Sequence, residues 1–198
     1  MRNLISIEDL SVDEINGLLE TATDIMEHPE RYIDRCRNKK LATLFFEPST
    51  RTRLSFEAAM YELGGNVISV ASADSSSAAK GESVSDTVRV VSCYADIIAM
   101  RHPKEGAPFV ATLKSGVPII NAGDGGHNHP TQTLADIMTV YKEKGRLGGQ
   151  KIAERKRTED GQTESDTVLK SVIETVVASE LLNSLLGGQG ENIEAEKA

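Results

Sequence analysis

Four short apolar runs, at residues 41–46, 67–71, 97–100 and 117–122, alternate with segments of helical character, and this alternation restricts the fold more than any other feature. The helical segments between them are expected at about 50–63, 82–94 and 108–114. A fifth helix is expected from Pro130, with Leu134, Ile137, Met138 and Tyr141 on one face. Strands that are apolar at nearly every position have no face to give to water, so both sides of their sheet must be covered. The expected fold is therefore α/β: a four-stranded parallel sheet with helices on both faces. In such sheets ligands bind beyond the carboxyl ends of the strands, and chemistry is to be sought there. Ahead of the first strand, Ser11 and Glu14 form a capping-box pattern, flanked by Leu10 and Ile15 as a staple. Ile15, Leu18, Leu19, Ala22 and Ile25 then make one helical stripe.

Composition narrows the function classes. The chain has 198 residues, 39% hydrophobic and 26% charged, with a formal net charge of −8. That acidity argues against general nucleic-acid binding, which calls for clustered Lys and Arg. It leaves room for a small anion, whose binding depends on local charge. Cys36 and Cys93 are far apart and form no Cys/His cluster, so neither a disulfide framework nor a zinc site is expected. No stretch reaches the roughly 20 apolar residues of a membrane span, and acids interrupt the N-terminal segment before any signal-like run. The expected location is the cytoplasm, with no membrane association.

The segment Glu47-Pro48-Ser49-Thr50-Arg51-Thr52-Arg53 joins the first strand to a helix. Ser49 is placed to cap that helix. The helix N-terminus offers backbone N–H donors to an anion, and Arg51 suits phosphate geometry. Alone, the segment reads equally as a capped helix with surface arginines. Arg101 follows the third strand in Met100-Arg101-His102-Pro103, and His129 opens the fifth helix in His129-Pro130-Thr131-Gln132. The loop after the second strand carries Ser75-Ser76-Ser77 and Lys80-Gly81-Glu82. Each has its own structural reading: a surface ion pair, a helix-start residue, a flexible connector. Donors at all four strand ends instead describe one pocket for a small, doubly charged, oxygen-rich ligand.

Taken in order, Ser-Thr-Arg-Thr-Arg, Met-Arg-His-Pro and His-Pro-Thr-Gln-Thr-Leu-Ala-Asp resemble the carbamoyltransferases over about residues 1–149. Thr131 and the Lys80-Gly81-Glu82 segment favour the aspartate branch of that family over the ornithine branch. The resemblance implies that Ser49, Thr50, Arg51 and Thr52 hold the phosphate of carbamoyl phosphate. It assigns the carbonyl oxygen to Thr52, Arg101 and His129, the carbamoyl NH2 to Gln132, and the positioning of arginines to Glu47. Ser76 and Lys80 would reach into a neighbouring subunit of a homotrimer. His129 is preferred over His127 because only His129 precedes the Pro-Thr-Gln motif. The implied reaction is attack of the L-aspartate amine on the carbamoyl carbon in pyrimidine synthesis, with no metal and no organic cofactor.

The family continues into a second α/β domain that binds aspartate. After Gly149 no further strand–helix alternation is found, so L-aspartate is an expected partner only if an equivalent of that domain exists. The expected organisation is a carbamoyl-phosphate-binding domain at 1–149, a charged linker at 150–164, a C-terminal helix at 165–187 and a disordered tail at 188–198. The helix stripe includes Val168, Val172, Ile173, Val176, Leu181 and Leu185. It suits a cover over the first helix, a partner-binding helix or the product of a truncation or frame change. Two function classes therefore remain, the carbamoyltransferase and a non-catalytic carbamoyl-phosphate-binding module.

Overall fold

The computed structural model describes residues 2–70 and 82–149, together with Ala178, Leu181 and Leu185. The serine-rich loop with Ser76 and Lys80, the linker, the tail and most of the C-terminal helix segment lie outside the described residues. In order along the chain come α1 (Val12–Glu27), β1 (Lys40–Phe45), α2 (Thr50–Glu62), β2 (Asn66–Val70), α3 (Val84–Val91), β3 (Ile97–His102), α4 (Ala107–Thr112), β4 (Ile119–Asp124) and α5 (Pro130–Lys144). The four strands form one parallel sheet in the order β2-β1-β3-β4.

Strand periodicity divides the apolar residues between two cores. Leu41, Phe45, Ile97, Ala99, Ile120 and Ala122 face a core completed by Leu19, Ala22 and Ile25 of α1, Phe56, Ala59 and Met60 of α2, and Leu134 and Met138 of α5. Ala42, Leu44, Ile98, Met100 and Ile119 face the other core, with Val88 of α3 and Ala111 of α4. Each large side chain removed from water on this scale contributes about 1.5–3 kcal/mol. Of the C-terminal stripe, Leu181 is buried in the α1 core beside Ala178, and Leu185 packs against it. Among the described residues, no helix is long and apolar enough to cross a membrane.

Local signals explain most element boundaries. In α1 the Ser11 side chain accepts from the Glu14 N–H, and Glu14 Oε2 accepts from the Ser11 N–H at 2.8 Å. The helix keeps its apolar stripe inward, with Leu19, Ala22 and Ile25 buried. Helix α3 is shorter than its sequence pattern suggests: Ser83 caps it by accepting from the Asp86 N–H, and residues 92–94 form a turn. Strand β4 starts at Ile119 rather than 117, since Pro118 has no N–H for the ladder. It then runs on to Asp124 through two polar residues, Asn121 and Asp124, that are fully enclosed.

One cap differs from expectation. Ser49 occupies the N-cap position of α2 but makes no side-chain capping bond. Its ψ is 87°, against 162° at Ser11 and 152° at Ser83, so its hydroxyl does not lie over the first turn. A further feature has no strong sequence signal. Leu4 pairs in parallel with Ile120: its N–H donates to the Ile119 carbonyl at 2.9 Å, and its carbonyl accepts from the Asn121 N–H at 2.8 Å. The N-terminal segment thus covers part of the β4 edge, which would otherwise present unpaired backbone groups.

Candidate active site

The strand order places β2 on one side of β1 and β3 on the other. The chain therefore reverses direction across the sheet between β1 and β3, and α2 and α4 lie on opposite faces. Such a switch point opens a crevice at the carboxyl ends of the two strands. Phe45 pairs with Arg101 across it, and the Phe46 N–H donates to the Arg101 carbonyl at 2.9 Å. Backbone pairing thus fixes Glu47 and Arg101 as neighbours.

Their side chains meet. Arg101 Nε donates to Glu47 Oε1 at 2.7 Å, with the two side chains 21% and 24% exposed. Arg101 Nη1 donates to the Ala122 carbonyl at 3.2 Å and lies 3.1 Å from His129 Nε2. The guanidinium is held on three sides and stays partly open to solvent. His129 reaches it because β4 ends at Asp124 and a tight turn leads into α5. The same ring caps α5, Nδ1 lying 3.4 Å from the Gln132 N–H nitrogen and 3.2 Å from Thr131 Oγ1.

The structure therefore brings Glu47, Arg101 and His129 into direct contact and sets Gln132 on the first turn beside them. The Gln132 side chain itself donates to Asp136 Oδ1 at 2.9 Å, along its own helix. Ser49 and Thr52 are half-buried, and Thr50 and Arg51 exposed, around the α2 N-terminus that begins three residues after Glu47. Without a Ser49 capping bond, the first-turn N–H groups keep the character of an anion site. His127 stands apart from Arg101 and faces Asp124. Among the described residues, no group of three or more His, Cys, Asp or Glu is placed to hold a metal ion.

Two supporting features escape motif reading. Gly123 has φ of +116°, and a Cβ there would meet Arg101 Nη1 at 2.8 Å and His129 Cδ2 at 3.2 Å. Asp124, 1% exposed, accepts from the N–H groups of Gly106 and Asn128, both at 2.8 Å, from Asn121 Nδ2 at 3.1 Å, and faces His127 Nδ1 at 3.2 Å. It ties the loop after β3 to the loop after β4. The available signal was two polar residues within an otherwise apolar strand. His102, beside the pocket, packs its ring 5.0 Å from that of Phe46. Burial, then Lys104, holds its pKa below the ordinary value despite the opposing pull of Glu47.

Burial pushes the Asp124 pKa up, but the hydrogen bonds from Gly106, Asn121, His127 and Asn128 together outweigh it and leave the carboxyl below its ordinary value. A depressed folded pKa contributes stability that is present above the unfolded pKa of about 3.9. That stability disappears as pH falls through the folded value. Asp124→Asn sets an NH2 group against at least one backbone N–H, an expected loss of about 1–3 kcal/mol near neutrality. Thermal melts of parent and variant should differ most near pH 7 and converge as pH falls through the lowered folded pKa of Asp124. Equal melting temperatures at pH 7 would show that the carboxylate does not hold the two loops.

Comparison with known proteins places this chain in a family. Residues 2–142 match the family model described as aspartate/ornithine carbamoyltransferase, carbamoyl-P binding domain. The aspartate carbamoyltransferase catalytic subunit of Lachnoclostridium phytofermentans is 65% identical over 147 residues, which are 74% of this chain and 48% of that protein. The corresponding subunit of Clostridium botulinum is 59% identical over 146 residues, again 74% and 48%. The chain spans about half the length of these relatives.

Among solved structures, the catalytic subunit of M. jannaschii aspartate transcarbamoylase superposes with a TM-score of 0.69 at 54% identity, over 74% of this chain and 48% of that one. The Trypanosoma cruzi aspartate transcarbamoylase, solved with carbamoyl aspartate and phosphate, gives 0.71 at 36% identity, over 75% and 48%. By the match along residues 2–142, the chain belongs to the aspartate/ornithine carbamoyltransferase family, through its carbamoyl-P binding domain.

Proposed function

We propose that residues 1–149 form the carbamoyl-phosphate-binding unit of an aspartate carbamoyltransferase, and that the pocket beyond β1, β3 and β4 is its active site. The observation that carries this reading is Arg101, fixed by Glu47 and set against His129 at the switch point of the sheet. Ser49, Thr50, Arg51 and Thr52 bind the phosphate at the α2 N-terminus. Thr52, Arg101 and His129 hold the carbonyl oxygen, and Gln132 holds the carbamoyl NH2. In the reaction, the aspartate amine forms a C–N bond to the carbamoyl carbon, and a tetrahedral oxyanion develops. The C–O bond to phosphate then breaks, and the amine loses its proton.

Arg101 and His129 act as donors to the developing oxyanion, while Arg51 and the helix dipole stabilise the leaving phosphate. By the same reading the protein works in the cytoplasm as a homotrimer, with Ser76 and Lys80 completing a neighbouring site. The test is carbamoyl-aspartate formation by the purified full chain at saturating L-aspartate, beside calorimetric titration of carbamoyl phosphate. Binding with turnover is the expected result. Binding without turnover leaves a carbamoyl-phosphate-binding module. No binding by a folded chain would overturn the site assignment.

A further inference from the structure

The ladder between β3 and β4 loses its regular step at the pocket. Met100 pairs with Asn121 and His102 with Asp124, so Arg101 alone stands opposite two residues, Ala122 and Gly123. Such a bulge bends the longer strand and takes its extra residue out of the regular pairing. Here side chains take up the polar groups of the peptide that joins the two residues. Its carbonyl, that of Ala122, accepts from Arg101 Nη1 at 3.2 Å. Its N–H, that of Gly123, donates to the buried Asn121 Oδ1 at 2.8 Å. The two groups belong to one planar unit, so the bond at one end aims the other. The surroundings also fix which way the Asn121 amide faces. Its Nδ2 donates to the Ile5 carbonyl at 3.0 Å and to Asp124 Oδ1 at 3.1 Å, with the Asn128 carbonyl at 3.5 Å. Turned over, the amide would set its oxygen against those acceptors and its NH2 against the Gly123 N–H.

We propose that Asn121 is a positioning residue for Arg101, acting through the Ala122–Gly123 peptide to lock the bulge against which the guanidinium rests. This role rests on the carbamoyl-phosphate reading of the pocket, in which Arg101 donates to the carbonyl oxygen of the ligand. Gly123 lies so close to the guanidinium that a Cβ there would come within 2.8 Å of Nη1. The place of Gly123 therefore decides the place of Arg101. Asn121 is fully buried and is itself held by Ile5 of the N-terminal strip and by Asp124, so it gives the bulge a fixed backing. Glu47 holds the guanidinium from Nε, and the bulge holds it from Nη1. Without the Asn121 oxygen the Gly123 N–H loses a buried acceptor, and a peptide that turns to find another carries the Ala122 carbonyl away from Arg101.

The test is calorimetric titration of the full chain with two probes. On the pocket reading, inorganic phosphate engages the α2 N-terminus. Phosphonoacetamide, in which a methylene replaces the labile bridging oxygen of carbamoyl phosphate, presents a carbonyl to Arg101 as well. Asn121→Ala is expected to weaken phosphonoacetamide at least ~10-fold, the scale of one hydrogen bond to a charged group. Phosphate affinity should stay within ~2-fold of the parent. Asn121→Ser should recover part of the loss, because a serine hydroxyl can accept from the N–H two residues on, as asparagine does. In the Arg101→Ala chain, Asn121→Ala should add less than ~2-fold, since the group it positions is gone. A folded Asn121→Ala chain that binds phosphonoacetamide like the parent overturns the role of Asn121 but leaves the pocket reading standing. So does an equal loss for both probes, a full further loss in the Arg101→Ala chain, or a Ser variant no better than Ala. One measurement needs no variant: in the parent, the Gly123 amide is expected to exchange with solvent as slowly as the ladder amides of β4. Exchange at the rate of an exposed loop overturns the lock. A folded parent that binds neither probe overturns the pocket reading and this role with it.

Discussion

Arg101→Ala is expected to lower turnover by at least ~10²–10³-fold, with a parallel loss of carbamoyl-phosphate affinity, while the chain stays folded. The guanidinium donates to Glu47, to the Ala122 carbonyl and towards His129, so its removal takes the central donor out of the pocket. The cost in stability is smaller, because the Glu47 side chain is 24% exposed and water can replace its lost partner. About 1 kcal/mol is expected, the ordinary net value of one such bond. Arg101→Lys should recover little, since an ammonium keeps the charge but cannot hold Glu47 and a ligand oxygen at once with a planar fork. Steady-state kinetics, calorimetry and a thermal melt on the same samples separate these effects. Near-parent kinetics in Arg101→Ala would sink the site assignment.

Gly123→Ala should do comparable damage without removing any polar group. At φ of +116° an L side chain is strained, a cost of about 1–3 kcal/mol. The new methyl would also sit 2.8 Å from Arg101 Nη1 and 3.2 Å from Arg101 Cζ, so the guanidinium must leave the place where Ala122 and His129 hold it. A loss of ~10²-fold in turnover is expected, the scale of one displaced oxyanion donor, together with weaker binding of carbamoyl phosphate. It should come with a melting temperature lowered by several degrees, which for a domain of this size corresponds to roughly 1–2 kcal/mol. A folded Gly123→Ala chain that binds as tightly as the parent would show that Arg101 need not occupy its present position. The pair of variants is informative together, because one deletes the donor and the other only moves it.

Much of this architecture is legible in the residues themselves. The four apolar runs alternate between two cores, so each strand reads apolar throughout while its neighbours in sequence serve opposite faces. Arg101, His129 and Glu47 could be grouped beforehand because strand ends in a parallel sheet share one side, and the structure puts them within hydrogen-bonding distance. Other features resisted reading for physical reasons. Asn121 and Asp124 are polar and would normally argue against a buried strand, yet each is satisfied by partners supplied from loops that only the folded chain brings near. Gly123 looks like any turn glycine until the side chains across from it are known. Ser49 has the right identity and place for a cap, but the local backbone angle decides whether its hydroxyl is used.

The strip of chain beside β4 carries a consequence for biogenesis. Asn3 Oδ1 accepts from the Ile119 N–H, and the Ile5 carbonyl accepts from Asn121 Nδ2, each across 116 positions of sequence. Ribosomes add about 5–20 residues per second, so residues 3–5 leave the polymerising centre on the order of ten seconds before their partner strand has been made. During that interval β1, β2 and β3 can already assemble and α1 can already be helical, while the N-terminal strip has nowhere to go. It is made before β1, β2 and β3, yet it can take its place beside the sheet only when translation has passed β4.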